Sequence, residues 1–309
     1  MSLPRTSTQV SFPSGSVRER STVLAVLDLS EGRTGIVTGT TPFHPLDHTW
    51  PDQPTDTGTL VIDGAVGGAA GPDGGVELMV VDCVTGGVSP EGDLSLGAEI
   101  PVRRGEEGWA WLVVHVVEAP AAGPVPVDLI KIGAGAALRV NAERRAALSA
   151  AHTGCHLLSL ALNAALAPRW RKDPGRNDAL GHPDFDRLAM ESSRMDTTAS
   201  TDVYRIGKSL RKKGFTADDL AADLPAITAA VNEQFAAWVA ADAPVRIEAP
   251  DLGLTARRSW CCDLPEGSAS IFCGGTHLHH LGELTALRTE LRLSEDGTGL
   301  TAVTAPERR

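Results

Sequence analysis

Long apolar runs are missing from this chain. No stretch approaches the roughly 20 apolar residues that a membrane span requires. The opening MSLPRTSTQVSFPSGSVRER has no apolar h-region of a secretory signal. Cysteine is sparse, five residues without regular spacing. An odd, irregular set argues against a disulfide framework and for a reducing cytosol. Positive charge is also short. The 28 Lys and Arg face 39 Asp and Glu, for a net charge of −11. A protein that grips many phosphates is usually basic, because neutralising them supplies most of the binding energy. The expectation is a soluble, cytoplasmic protein with no membrane partner, in which any nucleic-acid contact comes from a local patch.

At 309 residues the chain is long enough for a sizeable core and two domains. Residues 1–20 are Ser/Pro-rich and read as a polar arm. From there to residue 120 the text is all-β. Runs such as 22-TVLAVLDL-29, 59-TLVID-63, 76-VELMVVDCV-84 and 109-WAWLVVHVVE-118 are separated by Gly/Asp/Pro turns, and 94-LSLGAEIPVR-103 is a strand broken by Pro101. A small β-barrel or sandwich would bury these runs. Residues 121–136 are rich in Ala, Pro and Gly and read as a linker. After it the period becomes helical. Residues 141–167 form a long helix capped by Asn141 and stopped by Pro168. A second helix lies within 216–242, with Thr216 as cap and a break at Pro225. Strands return at 244–249, 268–273 and 284–293. Residues 137–309 are thus an α+β domain, and the chain as a whole is α+β.

Two spaced pairs carry the chemistry. In 152-HTGCH-156, His152 and His156 stand at i and i+4, one face of a helix. Alone, this fits two core histidines satisfied by backbone carbonyls as well as a metal pair. In 273-CGGTHLHH-280, Cys273 ends a strand and His277 returns beside it across Gly274 and Gly275, which permit left-handed backbone. One thiolate and three imidazoles make a tetrahedral zinc shell. His279 and His280 fall outside it. Cys155 points to another helix face, Cys83 packs in a strand, and neighbours Cys261 and Cys262 point opposite ways along theirs.

The order HTxxHLL, 231-VNE-233, 244-PV-245, 273-CGGTH-277 and 282-GEL-284 resembles the editing domain of alanyl-tRNA synthetase and its free-standing relatives, the AlaX-type deacylases. The segment 41-TPFHPLDHTWPDQPTDTGTL-60 is similar to that family's glycine-rich segment, and the likeness spans about residues 20–293. The resemblance implies a small β-barrel domain followed by an α+β editing domain with Zn2+. It further implies zinc ligands at His152, His156, Cys273 and His277, and hydrolysis of the ester joining a wrong amino acid to the acceptor end of a tRNA. Carried over, Gln53 and Thr41 become the candidate catalytic residues. The chain departs from the family where 50-WPD-52 replaces three glycines, so the pocket wall should be reshaped. His44, Asp47, His48, Trp50 and Asp52 are the candidate substrate-binding residues, although ordinary turn chemistry would also place such residues there.

A pocket that hydrogen-bonds a β-hydroxyl selects far better than apolar contact alone, which gives only ~1–3 kcal/mol per methylene. The altered loop therefore favours a threonine-like non-standard amino acid, fluorothreonine for example, on threonine tRNA. The alternatives are serine or glycine removal from alanine tRNA, a zinc-stabilised RNA-binding module, and a small-ester metal hydrolase. Lys208, Arg211, Lys212 and Lys213, in 205-RIGKSLRKKG-214, are the candidate tRNA-binding cations, with 169-RWRK-172 a weaker second patch. A charge run by itself fits a solvated helix end equally. The number of subunits is left open.

Overall fold

A computed structural model describes residues 3–29, 32–64, 75–118 and 130–309. The chain is mixed α+β, with mostly strands and a few helices. It divides into two compact units. The first comprises Met1–Arg145, Ala249–Arg258 and Gly274–Thr276; the second comprises Ala146–Glu248, Ser259–Cys273 and His277–Arg309.

The first unit contains β1 (Gln9–Val10), β2 (Arg18–Asp28), β3 (Thr34–Thr38), β4 (Thr40–Thr41), β5 (Gly58–Ile62), β6 (Val76–Val88), β7 (Leu94–Leu96), β8 (Ala110–Glu118) and β9 (Gly135–Val140). Seven of them form a sheet in the order β5-β9-β2-β3-β8-β6-β7, and β5 also pairs with β6, so six strands form a closed ring of pairings. Burial alternates along β2 from Val23 to Leu27, and across a register shift with β3 Val23 joins one apolar cluster while Ala25 and Leu27 join another. β8 is instead buried at every position before Glu118. Trp111, Val113 and Val117 join one apolar cluster, while Ala110, Leu112 and Val114 join another on the opposite face.

Three boundaries differ from the sequence reading. Residues 1–20 are more than a polar arm, because Val10 and Phe12 are core residues and Arg18 already opens β2. The linker expected at 121–136 lies outside the described residues for 121–129, and its last residues begin β9, which pairs with β2 and β5. The 94–103 strand ends at Leu96, well before Pro101.

The second unit carries α1 (Ala142–Leu166, whose first turn belongs to the first unit), α2 (Phe185–Ala189), β10 (Met190–Met195), β11 (Ser200–Arg205), α3 (Lys208–Lys212) and α4 (Leu220–Ala240). It continues with β12 (Val245–Glu248), β13 (Ser259–Leu264), β14 (Gly267–Phe272), β15 (Leu284–Leu293) and β16 (Gly299–Arg308). One antiparallel sheet runs β10-β11-β16-β15 and another β12-β13-β14. Asn141 caps α1 as expected, accepting the Arg144 N–H at 3.1 Å. Gly154 lets α1 close on β15, since a Cβ there would stand 3.0 Å from Leu287. α4 docks on the same strand through Asn232, whose amide accepts the Thr289 N–H at 2.8 Å and donates to the Thr289 carbonyl at 3.0 Å.

Pro225 does not break α4, which is continuous through it. The proline is exposed near the helix start, and Ala221, whose carbonyl loses its partner, is exposed too. Nor does Thr216 cap the helix: its N–H donates to the Arg169 carbonyl at 2.8 Å, and Asp219, with φ 56°, precedes the first turn. Among the described residues no helix is long and apolar enough to cross a membrane.

A buried ion pair anchors the first unit. Arg145 pairs with Asp56 through Nε and Nη2 and also donates to the carbonyls of Pro42 (2.6 Å) and Ser16 (3.2 Å). Asp56 in turn accepts the His44 N–H at 2.6 Å. Asp56→Ala would leave a buried guanidinium uncompensated, so a loss of roughly 3–5 kcal/mol is expected in urea unfolding; an unchanged midpoint would contradict this.

Asp186, in the second unit, accepts from Tyr204 Oη at 2.9 Å. Burial, opposed by that hydrogen bond and reinforced by Asp202 and Asp184, pushes its carboxyl up to about 7. Its folded value lies above the unfolded one. Its contribution to stability is therefore full below the ordinary carboxylate range and lost as pH rises through about 7. Asp186→Asn is expected to flatten that decline when urea midpoints are compared at about pH 5 and pH 8.

Candidate functional site

The second unit brings the four sequence-selected donors together. α1 presents His152 and His156 from one face. β14 ends at Phe272, so Cys273 follows immediately, and His277 comes after Gly274, Gly275 and Thr276. The four donor atoms all lie within 4.8 Å of one another. Cys273 Sγ is 3.3 Å from His152 Nε2 and 3.2 Å from His277 Nε2. A tetrahedral zinc with its usual bond lengths would set sulfur and nitrogen about 3.6 Å apart. The spacing is within a few tenths of an ångström of that, so the group is compatible with a metal.

Two further observations bear on the fit. His156 Nε2 is buried and without a hydrogen-bond partner among the described residues, a state that costs about 1–3 kcal/mol unless something satisfies it. Burial also lowers His152 to about 3, and burial, then the neighbouring His152, holds His156 well below the usual imidazole range. Both imidazoles are neutral and keep lone pairs for a cation. Trp260, fully buried in β13, packs its ring 5.1 Å from that of His156 and shields it.

Thr153 was not singled out in the sequence, although it sits inside the motif. Its hydroxyl lies 3.3 Å from His277 Nδ1 and accepts the Leu278 N–H at 3.1 Å. With Nδ1–H donating to Thr153, Nε2 is left as the lone pair facing the cluster. The two glycines do not act as expected: neither Gly274 nor Gly275 has a positive φ, so the segment turns without left-handed backbone.

The first unit carries the loop residues. Gln53 is buried, and its side chain clamps one residue at two points. Nε2 donates to Thr276 Oγ1 at 2.9 Å and Oε1 accepts the Thr276 N–H at 2.9 Å. Thr276 directly precedes His277 in the chain. Thr41, a candidate catalytic residue, is packed inside the first unit. Its hydroxyl, fully buried, bonds to His115 Nε2 at 2.8 Å and accepts the Phe43 N–H at 3.1 Å. His115 Nδ1 donates to the Ile36 carbonyl at 2.8 Å, and burial, partly offset by that bond, lowers the imidazole to about 4. Thr41 therefore donates to a neutral ring inside the core. Gln53 has both ends of its amide engaged by Thr276.

Asp47 closes the turn that follows it, accepting from Thr49 N (2.8 Å), Thr49 Oγ1 (2.6 Å) and Trp50 N (3.4 Å), and it pairs with Arg104. Burial alone would raise its carboxyl, but Arg104 and these donors hold it below the usual range. Arg104, unremarked in the sequence, also donates to the Leu254 carbonyl at 2.7 Å. Asp52 accepts the Gln53 N–H at 2.7 Å. His44 is buried with its ring edge-on to Phe12. Trp50 remains 43% exposed. His48 differs from the rest. Its ring stacks on Trp111 at 6.2 Å, and neither ring nitrogen has a partner among the described residues. Burial, with Arg104 adding and Asp47 opposing, lowers its pKa.

Lys208, Arg211, Lys212 and Lys213 are exposed on and just after α3, in the second unit. Cys155 is buried against Ser193 and Asp202, and Cys83, Cys261 and Cys262 are buried as expected.

No family model matches the chain, and no curated protein shows significant similarity to it.

Metal analysis of the purified chain is expected to find a tightly held transition-metal ion, and Cys273→Ala or His156→Ala should abolish it. Thr153→Val, which removes the partner of His277 Nδ1 together with the acceptor of the Leu278 N–H, is expected to weaken affinity about 10–100-fold in chelator competition. Full occupancy in all three variants would show that these residues do not form a metal site.

Proposed function

We propose that the chain is a trans-acting aminoacyl-tRNA deacylase that holds zinc at His152, His156, Cys273 and His277. The observation that carries the reading is the gathering of those four donors, with the buried, partnerless Nε2 of His156 among them. They are the residues that the resemblance to the alanyl-tRNA synthetase editing domain selects, and the ring of six antiparallel strands fits that family's small β-barrel domain.

The chemistry asked of the site is modest, because an aminoacyl ester is already activated. Bound zinc would supply Lewis acidity and a fixed positive charge. Four protein ligands make a closed shell, however, which is the pattern of a structural or orienting ion. The chain's own residues do the rest. Gln53 fixes Thr276, the residue before His277, and Asp47 with Arg104 fixes the loop that carries His48 and Trp50. His48 is neutral near pH 7 and has hydrogen-bonding capacity left over, so it is the group assigned to the substrate's β-hydroxyl. An amino acid without that hydroxyl leaves the imidazole unsatisfied, and discrimination of that kind is far stronger than one methylene can give. This favours a threonine-like non-standard amino acid, such as fluorothreonine, on threonine tRNA over serine or glycine on alanine tRNA.

The test is a deacylation panel of threonine and alanine tRNAs charged with standard and non-standard amino acids, run beside the amino-acid methyl esters. Fastest release of the threonine-like amino acid from threonine tRNA is expected. His48→Ala should lower kcat/KM about 10–100-fold for β-hydroxy substrates alone, the size of one lost hydrogen bond to a buried group. Equal release from tRNA and methyl ester would instead indicate a small-ester hydrolase. Release from neither would leave a zinc-stabilised binding module.

A further inference from the structure

The two basic segments of the sequence form one surface. Trp170 and Phe215 are joined by a β-bridge, and the Arg171 N–H donates to the Gly214 carbonyl at 2.9 Å, so 169-RWRK-172 lies against the end of 205-RIGKSLRKKG-214. Beside this junction are two concavities of the second unit. One, of about 760 Å³, is lined by Arg205, Lys208, Ser209 and Arg211; the other, of about 300 Å³, by Arg171, Arg211, Gly214 and Thr216. Arg211 lines both, so the two lie side by side as one basic track.

The cations on the track are available. Lys172, Lys208, Arg211, Lys212 and Lys213 are exposed and take part in no ion pair among the described residues. Arg205 and Arg171 have only exposed partners, Glu191 at 3.5 Å and Asp218 at 3.1 Å, and such pairs are weak enough to exchange for a phosphate. Arg169 is the exception, held by Asp223 and by the carbonyls of Thr216 and Asp218. In a chain of net charge −11, a cluster of free cations concentrates the attraction for polyanions in one place.

The lining also says what kind of polyanion. The larger cleft has no aromatic wall, and Phe215, in the smaller, is buried against Trp170. Single-stranded nucleic acid is held by bases stacking on aromatic faces, and no such face is offered. Phosphates and 2′-hydroxyls of an A-form helix need only cations and hydroxyls such as that of Ser209. The exposed large apolar side chains of the described residues lie elsewhere, which leaves nothing here to enter a bilayer.

We infer that this track binds the sugar-phosphate backbone of double-helical RNA without reading its bases. The inference rests on the deacylase reading only for naming that RNA as a tRNA stem; under it, the enzyme selects its amino acid and leaves the tRNA stem sequence unread.

The experiment measures binding of the full chain to RNA hairpins of unrelated stem sequence, to a single strand and to an acidic peptide, across a salt series. The hairpins should bind alike and more tightly than the other two. Lys208→Ala/Arg211→Ala/Lys212→Ala should lower hairpin affinity by at least roughly tenfold and reduce the salt slope by about one per cation removed. Single-variant Arg211→Glu, checked by metal content and urea midpoint, guards against misfolding. Preference for the single strand or peptide, discrimination among stems, or unchanged binding in both variants would overturn the proposal. Methyl-ester hydrolysis separates the two ideas. Hairpin binding through the track without any deacylation defeats only the function proposed above. Deacylation of tRNA that ignores the track variants defeats only this inference.

Discussion

The second unit gathers four lone-pair donors at one point, three imidazoles and a thiol whose donor atoms lie within 4.8 Å of one another. His156 Nε2 is buried without a partner among the described residues, and the Cys273 thiol lies within hydrogen-bond distance of two rings. A divalent ion would turn this gathering into a bonded shell. Binding then contributes directly to folding, because α1 supplies one half of the shell and the segment after β14 the other. The surrounding side chains suit that outcome: Trp260 excludes water from one side, and Thr153 orients His277 while tying down the Leu278 amide.

Elements with strong local signals were legible in the sequence. The Asn141 cap and the uninterrupted apolar pattern define α1, and short apolar runs between turn residues define β2, β5, β6 and β8. The donor set was legible for the same reason, since i, i+4 spacing on a helix and a short thiol–imidazole loop are local geometries. Much of what escaped was polar or distant. β10 and β11, with MESSRM and STDVYR, lack the apolar alternation that marks a strand, and they exist because β16 pairs with β11. Pro225 carries a helix-breaking signal that its exposed early position does not enforce. The clamp of Gln53 on Thr276 joins residues 223 apart, and the Arg145–Asp56 pair spans 89. No local pattern announces either.

Those long-range pairs also change the meaning of residues picked out by resemblance. Thr41 and Gln53 look catalytic in a linear motif because both are polar and lie near the loop. In the fold each is buried with its polar atoms engaged, one by His115 and Phe43, the other by Thr276. A group whose hydroxyl proton or amide is committed in this way joins a proton transfer only after a buried bond is broken, at a cost of about 1–3 kcal/mol. Their physical effect is to fix backbone. Under the proposed function the loop's chemistry falls to His48 and the exposed ring of Trp50.

Selectivity under the proposed function follows from that division of labour. A closed metal shell presents the same charge to every aminoacyl ester, so it cannot by itself tell threonine-like from alanine-like substrates. Uniform stabilisation of that sort raises all rates together. Discrimination has to come from a group whose satisfaction depends on the side chain of the amino acid. Under the proposed function that part falls to His48, an imidazole whose pKa burial lowers and whose ring stacks on Trp111, in a loop held by Asp47 and Arg104. Rejecting the wrong substrate then requires no clash, because a buried nitrogen left without a partner is already penalised. An imidazole that could swing out to solvent would satisfy itself and lose its power to select.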